Sequence, residues 1–194
     1  MGEHYRRNLN TLGREKALEY FEQAVAKDPA YAPAYAGLAS SYTFLGFFGH
    51  LAREDAFPRA RQLAVQALAL DDTLADAHRI LGLNAFYYDW DWVEAERSFR
   101  RAIELSPSDA CPHIAYAWYL LAMRRLDEGI AEAERARELD PLSLTANLAY
   151  GQLFYFARRY DDAIQQWRET VDLEPNDPWA HGMLASAYEQ IRNV

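Results

Sequence analysis

Apolar residues along this chain recur at spacings of three, four and seven, which places them on one face of an α-helix. No run of alternating Val, Ile or Thr is typical of a strand. Residues that favour helix starts, such as Asp91, Asp109 and Ser143, precede several of the apolar segments. The pattern predicts an all-α chain with helices near 14–27, 32–45, 56–70, 74–88, 91–105, 109–123, 126–139, 142–157, 160–173 and 178–191.

A period of 34 residues organises these helices. Pro107, Pro141 and Pro175 stand 34 residues apart, Pro29 opens the series, and Leu70-Asp71-Asp72 occupies the place of an intermediate proline. When the proline is numbered 32, small residues recur at positions 8, 20 and 27, with a varying residue at position 24. The series read Ala39, Gly82, Ala117, Gly151 and Ala185 at position 8; Ala17, Ala60, Ala95, Gly129 and Ala163 at position 20; Ala24, Ala67, Ala102, Ala136 and Thr170 at position 27; and Phe21, Ala64, Phe99, Ala133 and Trp167 at position 24.

Small side chains at fixed positions let two antiparallel helices approach closely, and a period of this length indicates stacked helical units. The pattern resembles the tetratricopeptide repeat (TPR) family, whose consensus has small residues at positions 8, 20 and 27 and a proline at 32. The resemblance implies a right-handed superhelical TPR solenoid of antiparallel helix pairs. A single array would fill residues 1–194, with units of about 1–31, 32–74 with an insert at 47–55, 75–109, 110–143, 144–177 and a half unit at 178–194.

Two departures from the period carry information. The step from Gly46 to Ala60 has nine residues more than the period requires, within 47–55. Inserts of this kind map to loops that are often functional; the alternative is a longer connection that packs Phe47 and Phe48 against a neighbouring unit. At the start of the chain, the segment before Thr11 matches a first helix poorly, although Tyr5 and Leu9 offer it an apolar face.

The last helix, 178–191, carries Met183, Leu184, Tyr188 and Ile191 with no following partner helix, although the ends of a solenoid need polar caps. We therefore expect self-association through this helix. The same feature favours a fragment of a larger protein over a self-capped array.

Charge and composition disfavour nucleic acid and membranes as partners of this chain. The net charge of −9 disfavours direct binding to nucleic acid, because phosphate recognition needs a basic stripe. The chain has one cysteine, no apolar run long enough to cross a membrane and no leader sequence, so we expect a cytoplasmic protein with no membrane partner. A protein or peptide is the expected partner.

Motifs for catalysis or cofactor binding do not occur in the sequence: there is no phosphate-binding glycine loop, no His-Glu-x-x-His and no paired cysteines. His78, His113 and His181 share position 4 of their units, which separates them by at least a helix spacing of about 8–10 Å and disfavours a common metal. We expect packing histidines, an inert Cys111, no cofactor and no metal. The run 89–92, Asp-Trp-Asp-Trp, either anchors a partner or fixes a turn and caps a helix.

In TPR proteins, positions 2, 5, 9 and 12 of each first helix line the concave groove. Carried over, these positions contain an aromatic and apolar strip with few charges. The resemblance therefore implies partner-binding groove candidates Arg79, Phe86, Trp118, Gln152, Tyr155 and Trp179. No unit has the Lys at 5 and Asn at 9 of TPR domains that bind chaperone C-termini. The alternative for the strip is burial of some of these side chains against adjacent units.

The sequence favours a non-catalytic protein–protein interaction scaffold. Stretches such as 18–24, 35–39 and 87–92 are similar to the TPR arrays of bacterial multidomain regulators, in which the array is linked to a winged-helix, protein-kinase or adenylate-cyclase domain. That similarity implies the alternative of a sensory or regulatory module. An enzyme is the third and least favoured class.

Overall fold

The computed structural model describes residues 11–192, so the predicted helices can be compared with it from Thr11 onward, while Tyr5 and Leu9 lie outside the described residues. Within this range the chain is all-α, with ten α-helices, one π-helical turn and no strand. The ten predicted helices are confirmed. They are α1 (Thr11–Lys27), α2 (Ala32–Phe47), α3 (Arg53–Leu70), α4 (Ala75–Asn84), α5 (Trp92–Leu105), α6 (Ala110–Ala122), α7 (Leu126–Leu139), α8 (Leu144–Phe156), α9 (Tyr160–Leu173) and α10 (Pro178–Arg192), with the π-helical turn at Ala85–Asp89.

The helices divide between two compact units, one ending at Ser106 and the other beginning at Pro107. In the first unit each helix from α1 to α5 packs against the next, and α2 also contacts α4. In the second unit consecutive helices from α6 to α10 pack in the same way, and α8 contacts both α6 and α10. Contacts between alternate helices are the arrangement in which helix pairs stack side by side.

Some of the closest helix contacts lie between positions 8 and 24 of the same repeat. An added Cβ on Gly82 would lie 2.6 Å from Phe99 Cε1, and one on Gly151 would lie 2.6 Å from Trp167 Cδ1. Where position 8 is alanine the partner at 24 is also small, as in Ala117 with Ala133, which share one buried cluster. A large ring at position 24 is thus paired with glycine at position 8, and a small residue at position 24 with alanine.

A side chain at position 4 closes the turn that precedes each first helix. It reaches back six residues and donates a hydrogen bond to the carbonyl oxygen of the proline, or of Asp72 in its place. The five bonds are Tyr35 Oη to Pro29 (3.1 Å), His78 Nε2 to Asp72 (3.1 Å), His113 Nε2 to Pro107 (3.3 Å), Asn147 Nδ2 to Pro141 (2.9 Å) and His181 Nε2 to Pro175 (2.8 Å). Position 4 is thus a turn-closing position, which gives the three histidines a structural role.

The turn within the third, fourth and fifth repeats is closed by a residue with left-handed backbone, with φ values of 59° at Trp90, 62° at Arg124 and 59° at Arg158. In two repeats the backbone N–H of the next residue donates a hydrogen bond to the carbonyl oxygen five residues earlier. These bonds run from Arg125 to Leu120 and from Arg159 to Phe154 (both 2.9 Å). In the third repeat the corresponding bond runs over six, from Asp91 N–H to Ala85 (3.0 Å). The π-helical turn therefore accommodates one extra residue, consistent with the interval of 35 between His78 and His113.

The insert is divided between helix and connection. The helix α2 continues to Phe47 and α3 begins at Arg53, so that only 48–52 form the connection, where the sequence alone suggests a loop through 47–55. The Phe47 ring lies 4.9 Å from the Tyr87 ring in the π-helical turn, as expected if the insert packs against its neighbour. In the lengthened helices the inserted N–H and C=O groups bond to each other, whereas in an exposed loop they would bond to water.

The contact between positions 8 and 24 predicts opposite effects of the same substitution at two glycines. Replacing Gly151→Ala should lower the free energy of unfolding by about 1–3 kcal/mol, because the new methyl group meets the Trp167 ring. Replacing Gly182→Ala should leave it unchanged or raise it by up to about 1 kcal/mol, because a Cβ there has no atom within 4 Å and alanine favours a helix. Urea unfolding of both variants measures the difference; equal effects would contradict the packing argument.

Candidate interaction surface

Four of the six groove candidates lie in the second unit, on the first helices of successive repeats. Trp118 is on α6, Gln152 and Tyr155 are on α8, and Trp179 is on α10. Trp179 is 63% exposed, while the other three are partly buried. Because α8 contacts both α6 and α10, these helices form a continuous face within the unit.

The two central aromatic residues also pack into the core. The Tyr155 ring lies 5.8 Å from the Trp167 ring and 5.5 Å from the Tyr160 ring. Trp118 packs against a buried cluster that includes Ile114 and Ala149. Both side chains therefore contribute to the core as well as to the surface. Partial burial of the strip is the alternative to a fully open groove.

The end of this face on α10 is open. Gly182 has space for a side chain, and Ser186 turns its hydroxyl to the Gly182 carbonyl (2.9 Å) rather than outward. Trp179 stands one helical turn before Gly182 with most of its indole ring exposed. The exposed indole therefore stands beside open surface at Gly182.

The other two candidates, Arg79 and Phe86, belong to the first unit. The Arg79 guanidinium bonds to Asp76 on the same helix (Nε to Oδ1, 2.8 Å) and lies 3.5 Å from Ser40 Oγ on α2. Phe86 is 8% exposed, and its ring lies 4.4 Å from that of Tyr87 and 5.9 Å from that of Trp92. The structure gives Arg79 a polar site between α2 and α4 and places Phe86 inside an aromatic cluster.

The second unit contains a buried polar network that the sequence does not predict. Asn147 accepts a hydrogen bond from Gln166 Nε2 (3.0 Å) and donates to the carbonyls of Pro141 and Ser143 (both 2.9 Å). Arg137 donates to Gln166 Oε1 (3.1 Å) and its guanidinium lies 4.8 Å above the Tyr150 ring. The network links α7, α8 and α9; its one sequence signal is asparagine at position 4, where three repeats have histidine.

This network forms one wall of a cleft of about 340 Å³, lined by Arg137, Glu138, Pro141, Asn147, Glu169 and Leu173. The Arg137 guanidinium is already committed to Gln166 and to Glu169, at 3.5 Å. Burial of the phenol, with the Glu134 carboxylate close by, raises the pKa of Tyr150. The polar side chains that line the cleft are thus already paired within the protein, Glu138 with Arg135 (2.9 Å) and Asn147 with Gln166.

The position-4 histidines remain apart from any cluster of metal ligands. Within residues 11–192, no group of three or more His, Cys, Asp or Glu side chains is placed to hold a metal ion. His113 is nearly buried and faces the Glu132 carboxylate through Nδ1 at 2.6 Å. Cys111 is exposed, and its backbone N–H is capped by Asp109 (2.9 Å).

Turn closure and helix capping are visible at 89–92. The Asp91 side chain accepts a hydrogen bond from Glu94 N–H (3.0 Å) at the start of α5, and Trp90 supplies the left-handed turn. Trp90 nevertheless remains 66% exposed. None of the helices between residues 11 and 192 combines the length and apolar character that a membrane span requires.

Comparison with known proteins agrees with this architecture. Residues 114–178 and 151–194 match the tetratricopeptide repeat model. The transcriptional regulator HilA of Salmonella typhimurium is 26% identical over 129 residues, which cover 66% of this chain and 23% of that protein. The chain therefore spans less than a quarter of the curated relatives it matches.

Two solved TPR structures share the fold. TTC0263, a thermophilic TPR protein of Thermus thermophilus, has a TM-score of 0.76 at 19% identity and covers 97% of this chain and 99% of its own. YrrB, a TPR protein with an unusual peptide-binding site, has a TM-score of 0.59 at 21% identity, covering 87% of this chain and 82% of its own. Identities this low establish the fold alone.

Because of the polar network, removing the turn-closing side chain of Asn147 should lower the free energy of unfolding more than removing that of His181. Asn147→Ala removes three hydrogen bonds at a residue 6% exposed and takes the acceptor from Gln166 Nε2, so the free energy of unfolding should fall by about 2–3 kcal/mol. His181→Ala removes the equivalent bond at an exposed residue and should cost about 1 kcal/mol or less. Chemical denaturation compares the two; similar losses would show that the network adds nothing.

Proposed function

We propose that this chain, a tetratricopeptide repeat protein by its fold and by the family model that matches residues 114–194, is a non-catalytic scaffold that binds a protein or peptide partner on the face of α6, α8 and α10. The observation that carries the proposal is the exposed Trp179 beside the open position at Gly182. A few residues carry most of the binding energy in protein interfaces, and tryptophan is enriched among them.

The chemistry of the face indicates an apolar segment as the partner. Of the twelve residues at positions 2, 5, 9 and 12 of α6, α8 and α10, Glu189 is the one charged residue. Gln152 offers an amide that can pair with the backbone of a bound peptide, and Trp118 and Tyr155 expose part of their rings. The peptide-binding site in the name of YrrB, which has the same fold, supports a peptide as the class of ligand.

The proposal predicts that Trp179→Ala weakens peptide binding by about tenfold or more, because the indole supplies exposed apolar surface to the partner. Peptides selected from a random phage-displayed library against the wild-type protein provide the ligands, and titration calorimetry gives their affinities. Gln152→Ala should reduce affinity to a smaller degree. Leu142→Ser, which alters a residue 74% exposed outside the face, is the matched control and should change nothing.

Unchanged affinity in folded Trp179→Ala and Gln152→Ala proteins would overturn the binding face. Trp118 and Tyr155 are less suitable for this test because both also pack into the core. Thermal melts of each variant establish that it is folded.

The alternative proposal is a sensory or regulatory module of a bacterial transcriptional regulator, protein kinase or adenylate cyclase. Its support is the likeness to HilA, which is named a transcriptional regulator. The coding sequence on either side of these residues tests it. An adjacent winged-helix, kinase or cyclase domain would support regulation, and a self-contained reading frame would contradict it.

Self-association through α10 is a further part of the proposal. Tyr188 and Ile191 are 37% and 42% exposed at the end of this helix, and Met183 and Leu184 are partly buried. Light scattering over a range of protein concentrations tests it, and a strict monomer at the highest concentration would count against it.

A further inference from the structure

A second aromatic surface lies in the first unit, at the turns that connect the paired helices. Phe47 and Phe48 stand at the end of α2, and Trp90 and Trp92 lie between the π-helical turn and α5. The exposed fractions are 44% for Phe47, 50% for Phe48 and 66% for Trp90. We call these four residues, with Tyr87 between them, the turn-edge surface.

The rings of the turn-edge surface form one connected series. Phe48 lies 5.0 Å from Phe47, and Phe47 lies 4.9 Å from Tyr87. Phe86 connects Tyr87 to Trp92, at 4.4 Å and 5.9 Å, and Trp92 lies 5.4 Å from Trp90. The exposed rings therefore belong to one aromatic cluster, in which the partly buried Tyr87 and the buried Phe86 join the two phenylalanines to the two tryptophans.

Contacts beneath the patch hold it in place. The Arg53 side chain from α3 donates to the Tyr87 carbonyl, and Arg61 pairs with Asp89. The Phe57 ring stacks on Tyr88 at 5.4 Å with an interplanar angle of 8°. Burial raises the pKa of Tyr87 to about 12. The insert and the π-helical turn thus support each other, and together they present the aromatic rings.

Folding alone does not account for the residue at Trp90. The same left-handed turn is made by Arg124 and Arg158 in the next two repeats, so the turn does not require an aromatic side chain. A non-glycine residue in this conformation costs free energy, and an indole that remains 66% exposed recovers little of it by burial. π-Helical turns are frequent at functional sites.

The charge around the patch is negative. Glu54 and Asp55 are exposed in the first turn of α3, and Asp91 is exposed between the two tryptophans. Arg61 and Arg97 form ion pairs with Asp89 and Glu94. Arg53 donates to the neutral Tyr87 carbonyl and keeps its charge, so the carboxylates of Glu54, Asp55 and Asp91 outnumber it. An approaching partner therefore meets exposed aromatic rings and carboxylates that attract cations.

We propose that the turn-edge surface binds a protein segment in which apolar side chains alternate with Lys or Arg. The apolar side chains would pack on Phe47 and Phe48, and the cations would lie over the tryptophan rings, where a cation–π contact is strongest, close to Asp91. This surface is distinct in residues and in chemistry from the nearly uncharged face of α6, α8 and α10.

A random phage-displayed peptide library, panned against the protein at low salt, tests the proposal. Selected peptides are synthesised and measured by fluorescence anisotropy against the wild type, Phe48→Ser/Trp90→Asn and the control Val65→Ser/Leu142→Ser. Asparagine tolerates the left-handed backbone of Trp90, and Val65 and Leu142 are exposed apolar residues outside both surfaces (53% and 74%). Should the first variant lose its cooperative melt, Phe48→Ser alone replaces it.

The proposal expects a class of peptides rich in apolar residues and Lys or Arg. Their affinity should fall about tenfold or more in the first variant, stay unchanged in the control, and weaken as salt is added. Three results would overturn it: no peptide that depends on Phe48 or Trp90, dependent peptides that are acidic or uncharged, or a wild-type dimer, shown by sedimentation, that the variant dissociates. The last result would assign the surface to a second copy of the chain.

Discussion

The close contact between positions 8 and 24 is the constraint on which the rest of the structure depends. Helices of one repeat approach each other because a glycine or alanine on the first helix faces a side chain of matching volume on the second. Gly151 receives the Trp167 ring, whose Nε1 also donates to the Leu148 carbonyl (3.3 Å). Ala117 instead shares its buried cluster with Ala133, whose side chain is a single methyl group. Two repeats pair alanine with alanine and two pair glycine with an aromatic ring, so the contact persists while the sequence varies.

The residues that exceed the 34-residue period lie at a distance along the chain from the contact between positions 8 and 24. The extra residue of the third repeat is accommodated in Ala85–Asp89, after Gly82 and before Phe99. Of the nine inserted residues, Phe47 and 53–55 lengthen the facing ends of α2 and α3, and 48–52 form the connection. All of them lie between Ala39 and Ala64. Both changes fall at the turn end of the helices, where packing is less restrictive, and there they contact each other through Phe47 and Tyr87. The result is an aromatic surface that a uniform repeat would not have.

The sequence predicts the helices well because the period fixes them through small residues whose packing role is independent of their neighbours. It does not predict Phe86 well. Counting positions places Phe86 in the groove, but the wider π-helical turn changes the directions of the side chains after Asn84, and Phe86 is buried. The interval of 35 between His78 and His113 is the signal that could have revealed this turn. The network of Arg137, Gln166 and Asn147 could not be predicted, because its members lie on three helices and each residue alone is typical of a solvated surface.

A double-mutant cycle on Gly82 and Phe99 tests the central claim most directly. The free energy of unfolding is measured by urea for Gly82→Ala, Phe99→Ala and the double variant. Size matching predicts that Gly82→Ala destabilises the wild type by about 1–3 kcal/mol, because the methyl group meets the Phe99 ring, yet is neutral or stabilising once that ring is removed. The same change in unfolding free energy in both backgrounds would show that the two positions do not depend on each other, and would contradict the account.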